Sequence, residues 1–223
     1  RAQEIQGRLD ATETEIQVLE QERQQGQQAC TSAKIELAAA EERRNAVLAR
    51  YDVSAVHETG LTKDTRVATA RAEGIRDEGA ERRVMKAGDA FEIDGVAFEV
   101  LWPDESYDGK SVSDTNRAGI ALLVRYGDTT VLLTADTEAA EEAAYAARAG
   151  DVDVLKAGHH GSRTSSSREL LRATTPEVAI MSVGEGNRYG HPHPEVLARF
   201  QDMGIETFRT DLSGDILIRS SGG

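Results

Sequence analysis

Several residue types are scarce in this 223-residue chain, and each scarcity excludes something. A single cysteine, Cys30, rules out an internal disulfide framework and any zinc cluster built on thiolates. Without cysteine pairs the chain is at home on either side of a membrane, so the redox compartment stays open. No continuous apolar run is long enough to span a bilayer, and a mean hydropathy of −0.47 reads as a soluble chain. No secretory apolar stretch opens the sequence, which begins at Arg1 and is compatible with being a piece of a longer protein. Basic residues are outnumbered, 26 against 39 acidic, leaving a net charge of −13. That balance argues against a broad electrostatic grip on nucleic acid, which needs Lys and Arg to displace phosphate counterions. Bound divalent cations would reverse the sign locally. Gly-rich phosphate loops of the two standard forms are missing, as are repeats of 20–50 residues.

What is present divides near residue 50. The first 50 residues contain no proline and are rich in Gln, Glu, Ala and Arg, which favour helix. Ala2, Leu9 and Ile16 fall in one heptad column and Ile5, Thr12 and Leu19 in the other. Arg23, Gly26 and Arg44 then erode the pattern, and Gly26 could break the run into two helices. Residues 1–48 are therefore read as a coiled-coil-like segment for self-association or, equally, as a solvated amphipathic helix.

After residue 50 the period changes. Val53–His57 reads as a strand and Lys63–Arg83 as helix broken around Gly74 and Gly79. Phe91–Trp102 alternates on both sides of Asp94-Gly95, and Ile120–Thr134 does so around Gly127-Asp128, the pattern of two β-hairpins. Helices are predicted at Glu138–Arg148, Arg168–Ala173 and Pro194–Met203, the last with Pro at its start. Strands are predicted at Val152–Lys156, Val178–Val183, Ile205–Arg209 and Asp215–Arg219. Hairpins first and β-α-β alternation later specify an α/β layered sandwich over residues 49–223.

Four of the five histidines cluster. His159 and His160 follow the strand ending at Lys156, and His191 and His193 follow the strand Val178–Val183 through a Gly-rich loop. Asp136 follows the strand ending at Thr134. Carboxyl ends of buried strands are where α/β proteins build sites, and His nitrogen with Asp oxygen suits zinc or manganese. His57, alone, is read as an ordinary surface histidine.

These motifs carry a family resemblance over roughly three-quarters of the chain, from Leu48 to Gly222. Gly127-Asp-Thr-Thr-Val-Leu-Leu-Thr-Ala-Asp136, Leu155-Lys-Ala-Gly-His-His-Gly-Ser162 and Asn187-Arg-Tyr-Gly-His-Pro-His-Pro194 resemble elements of the metallo-β-lactamase-like C-terminal domain of ComEC-type competence proteins. Ala135 stands where that family has Gly, and Gly158 where a small residue or Pro is usual. The resemblance implies a partial metallo-β-lactamase-like αββα sandwich preceded by the helical segment. It implies metal-dependent hydrolysis of a phosphodiester in DNA, linked to DNA uptake, with two zinc or manganese ions. Asp136 would be the bridging ligand and His159 or His160 a terminal one. His160 and His191 would be catalytic, with His191 near the substrate phosphate and Ser162, Arg163 and Asn187 as its polar contacts. It also implies a bacterial origin, a membrane channel domain upstream, and a place on the extracytoplasmic side of the membrane.

The family's first metal motif, His-x-His-x-Asp-His or His-x-Asp-x-Asp-His, is missing, since no histidine precedes His57. The chain thus supplies only the second half of a binuclear ligand set, whereas a catalytic zinc takes about three protein ligands. Three readings stay open: a metal-dependent hydrolase domain whose activity in this chain is undecided, the same domain with its missing half supplied by a separate chain, and a catalytically decayed sandwich with a helical self-association arm.

Overall fold

A computed structural model describes residues 52–62 and 65–222. The segment 1–48 with its expected coiled coil lies outside the described residues. The rest falls into two units, each taken by itself.

In the first unit, residues 65–80 carry helix α1, Arg66–Glu78. Thr65 caps it by accepting the Ala68 N–H at 3.2 Å, and Gly79 ends it in the left-handed conformation, φ 71°. The break expected at Gly74 does not occur, because one glycine inside a capped helix costs only about 1 kcal/mol.

The second unit holds nine strands: β1 Ala55–Glu58, β2 Glu81–Val84, β3 Ala90–Ile93, β4 Val96–Trp102, β5 Ala121–Tyr126, β6 Thr129–Leu133, β7 Val154–Lys156, β8 Val178–Met181 and β9 Glu206–Arg209. β1 and β2 pair in parallel as a small sheet. The other seven form one sheet in the order β3-β4-β5-β6-β7-β8-β9. Its first half is antiparallel, built from the two hairpins, and from β6 onward every pairing is parallel. Asp94 and Gly95 both take positive φ, as a two-residue hairpin turn requires. Helices α2 Ala139–Ala149, α3 Arg168–Thr174, α4 Pro194–Asp202 and α5 Thr210–Ser213 fill the connections. A single core joins Leu123, Leu132 and Leu155 of the sheet to Tyr145, Leu171 and Phe200 of the helices, all fully buried.

Three expectations need correction. Asp215–Arg219 is not a strand, although its residues alternate. The tail is tied instead at Ser220, 2.6 Å from Thr129 Oγ1, and at Gly222, whose carbonyl accepts from Asp128 N at 3.2 Å. Glu81–Val84 is a strand that the pattern Glu-Arg-Arg-Val did not announce, being charged on three of four positions. His57 is not a free surface residue: it lies in β1 with its ring edge-on to Phe91 at 4.1 Å.

Candidate functional site

β6, β7 and β8 run parallel, so the loops leaving their carboxyl ends lie at one edge of the sheet. The first carries Asp136, the second His159 and His160, and the third Asn187 and His191. Thr134 Oγ1 donates to Lys156 O at 2.8 Å and His159 N to Ala135 O at 3.0 Å, which joins the first two loops.

The second loop is a left-handed turn. His159, His160 and Gly161 have φ of 47°, 57° and 84°. Such backbone is uncommon outside glycine and costs about 1–2 kcal/mol per residue, so neighbours must hold it in place. At Gly161 only glycine serves, because a Cβ there would lie 2.6 Å from Pro192 Cβ. His159 N donates to Ala135 O and His193 N to Gly161 O, while Glu142 and Arg199 hold the segment that follows. Glu142, with no exposed surface, accepts Ser166 N at 2.6 Å and Ser167 N at 2.8 Å. Arg199 donates to the carbonyls of Ser165, Ser166 and Arg163. Burial pushes the Glu142 carboxyl up, against the opposing pull of the Ser166 and Ser167 groups and Arg199.

The turn aims the two imidazoles differently. His160 Nδ1 lies 2.7 Å from Ser182 O, and a carbonyl can only accept, so Nδ1 carries the proton. The Nε2 of the neutral ring then holds a lone pair, and it lies 3.5 Å from Asp136 Oδ1. With that ring neutral two acceptors face one another, and with it protonated the contact is an ion pair; either way a positive charge between them is what the geometry suits. His159 Nδ1 is buried without a hydrogen bond, 3.7 Å from Glu138 Oε1, and its ring stands edge-on to that of His191 at 5.8 Å. His191 Nδ1 is likewise buried without a hydrogen bond. Burial holds the His191 ring below the ordinary histidine range, and repulsion from His159, His160 and His193 adds to this while Asp136 opposes it. Burial also lowers the nearby Lys156 ammonium, against the pull of Asp136.

His160 and His191 line a cleft of about 460 Å³ with Ser182, Val183, Asn187 and Tyr189. The Asn187 amide is occupied within its own loop: its oxygen accepts His191 N at 3.0 Å and its NH₂ donates to His191 O at 2.6 Å. Ser162 is buried, with its hydroxyl 3.1 Å from that of Thr164. Arg163 points elsewhere, toward His193 at 2.7 Å.

Facing acceptors at Asp136 and His160 suit a cation between them. Yet among the described residues no group of three or more His, Cys, Asp or Glu side chains is disposed to hold a metal ion. The residues present fit one side of a metal centre and do not complete it.

The chain is 35% identical over 159 residues to "ComE operon protein 3" of Bacillus subtilis, which covers 70% of this chain and 20% of that protein. "Competence protein ComA" of Neisseria gonorrhoeae is 39% identical over 127 residues, covering 56% and 18%. This chain is a homologue of bacterial competence proteins. "Recombination protein 2" of Haemophilus influenzae, at 35% over 137 residues, covers 61% and 17%. The chain therefore spans about a fifth of the length of the curated relatives it matches. No family model matches it. Among solved structures, the diiron β-hydroxylase CmlA from Streptomyces venezuelae superposes with a TM-score of 0.44 at 15% identity, over 67% of this chain and 38% of that one. No described helix of this chain is long and apolar enough to cross a membrane.

Glu138, Glu142, Lys156 and Arg199 escaped the sequence reading. Glu142 had a signal: it lies three, four and seven residues before Tyr145, Ala146 and Ala149, on the buried stripe of α2. A charge on an apolar stripe is seldom buried without a designated partner.

Proposed function

We propose that this chain contributes part of a metal-dependent phosphodiester hydrolase of the metallo-β-lactamase type, acting on DNA during uptake. The observation that carries this reading is the pair of facing acceptors, Asp136 Oδ1 and His160 Nε2 at 3.5 Å, at the carboxyl edge of a parallel sheet. It favours His160 over His159 as the ligand partnering Asp136, for zinc or manganese. When complete, such a centre supplies an activated water and a clamp on the phosphoryl oxygens. What this chain contributes is narrower. The Ser182 carbonyl fixes the His160 tautomer, and the lowered His191 stays neutral at pH 7, able to take up a proton beside the cleft. Of the polar contacts named from the sequence, Asn187 lines the cleft, whereas Ser162 and Arg163 do not.

Activity then requires ligands from outside the described residues, and in their absence the domain is silent. The competing reading, a decayed module, draws on the same lack of a three-ligand group among the described residues. Membership of the competence proteins supports a channel domain upstream and a place on the extracytoplasmic side of the membrane. The heptad of residues 1–48 supports self-association, which sedimentation with and without that segment would test.

Calorimetric titration with manganese, followed by a nuclease assay, separates the two main readings. The hydrolase reading expects metal uptake that Asp136→Ala and His160→Ala each abolish. Equal uptake by the wild type and both variants, or none by any of them, would leave the decayed module.

A further inference from the structure

We propose that Tyr189 is a stacking platform for a nucleobase at the cleft beside His160 and His191, and that it takes any base. The starting point is what the cleft no longer offers. The Ser182 carbonyl is taken by His160 Nδ1, and both ends of the Asn187 amide are used by Gly184 and His191. The Thr210 hydroxyl accepts from Val183 N at 2.7 Å and donates to Val183 O at 2.8 Å. These groups, with Val183 and Gly184, make up most of the cleft wall. A ligand finds about 460 Å³ of space there and few free groups with which the edge of a base could be read. Flat apolar contact is what remains.

Tyr189 supplies the surface. It is 68% exposed, against 40% for Tyr126 and 38% for Phe208, and a ring left in water gains by being covered. It is also held in place. Its ring lies within 22° of parallel to that of His191, with centroids 6.0 Å apart, and the Arg188 guanidinium carbon sits 5.2 Å from its centroid. Arg188 also donates to Tyr189 Oη at 3.2 Å. The loop beneath is closed by the Asn187 amide, with Gly186 and Gly190 at positive φ on either side. A ring already oriented loses little freedom when a base settles on it. Every base has a π-face, so stacking on an aromatic side chain tolerates any sequence. The net charge of −13 points the same way, since it leaves a strand to be held by stacking and not by counterion release. His191 contacts the rings of both Tyr189 and His159, which puts the platform beside the candidate metal side. That the flat ligand is a base of nucleic acid rests on the phosphodiester reading of this cleft. The exposed, oriented ring does not.

The test is NMR of the tyrosine and histidine rings in the full chain, with metal removed by EDTA. Salt at about 1 M shortens the reach of charge to about 3 Å and leaves stacking to act. The Tyr189 signals are identified by their loss in Tyr189→Leu. Adenosine, thymidine and a short thymidine oligonucleotide are each expected to shift the Tyr189 ring resonances saturably, and an abasic strand of the same length is not. Followed at the His191 ring, Tyr189→Leu should weaken binding of all three by about tenfold or more, and Tyr189→Phe by less than about threefold. Both variants should melt close to the wild type, because the ring is exposed. Tyr189 resonances unmoved by both nucleosides, equal affinity in Tyr189→Leu, or an abasic strand bound as tightly as the thymidine strand would each overturn the platform. A response to one nucleoside and none to the other would overturn its indifference to the base. Binding of nucleosides without binding of the thymidine strand would overturn its assignment to nucleic acid. A failed manganese titration, which would sink the hydrolase reading, leaves these metal-free measurements standing.

Discussion

Asp136 and the neutral His160 ring meet through two atoms that both accept, 3.5 Å apart, whereas Arg163 and His193 meet 2.7 Å apart as donor and acceptor, the guanidinium donating to Nε2. His160 and Arg163 are three residues apart on one short loop. Adjacent positions thus differ, one leaving a gap suited to a cation and the other closing on itself. The difference comes from what each imidazole is tied to. A carbonyl at Ser182 takes the proton side of His160, whereas the Arg163 guanidinium takes the lone pair of His193 Nε2. A histidine's role at a site follows from the partner of its other nitrogen.

The contrast can be broken at its foundation or sharpened at either end. The largest effect is expected from Glu142→Ala. It would strand the buried N–H groups of Ser166 and Ser167 and leave a cavity, costing about 3 kcal/mol or more in urea unfolding. A loss below about 1 kcal/mol would mean the loop bearing both pairs is held some other way.

Asp136→Asn acts on the acceptor pair alone. The amide can donate to His160 Nε2, so the metal-free protein should gain about 1 kcal/mol. Manganese affinity should fall at least tenfold. Destabilisation with metal affinity intact would show that the facing acceptors do not mark a cation site.

Ala135→Gly tests the neighbouring loop. Ala135 holds φ at 51°, where a methyl group is strained and glycine is not. Thermal melts should show a gain of up to about 1 kcal/mol, with metal affinity nearly unchanged.

The smallest effect concerns pH. Burial first, then its histidine neighbours, lower the His191 ring, so the unfolded chain binds this proton more readily than the folded one. Stability from this residue is present above the unfolded value of about 6.5 and is lost as pH falls through it. His191→Gln should flatten that acid limb by less than about 1 kcal/mol. An unchanged slope would place the acid sensitivity at another group.

Much of the scaffold was legible before any coordinates. Asp94-Gly95 and Gly127-Asp128 announced their hairpins because few residues tolerate positive φ, and local chemistry alone decides such turns. The later switch from antiparallel to parallel pairing followed from the spacing of helices between strands. Asp215–Arg219 misled because alternation makes a strand only where a neighbour offers a ladder. Ser220 and Gly222 tie that tail to the β5–β6 turn instead. For the site, motif positions named Asp136, His159, His160 and His191, with Ser162, Arg163 and Asn187 as polar contacts. Asn187 was expected to face a ligand, and its amide is used within its own loop.

The sequence by itself determined the order of elements, the hairpin turns and the strand ends on which the histidines fall, because these depend on neighbours within a few residues. Only the tertiary structure decided which imidazole nitrogen is free. That depends on Ser182 lying 22 residues from His160 and on Arg163 lying 30 residues from His193. It depends also on a buried Glu142 and on Arg199, brought from two helices to hold the segment Arg163–Ser167 that follows the histidines. Hydrogen-bond direction is set by atoms in contact, and distant residues come into contact only through the fold.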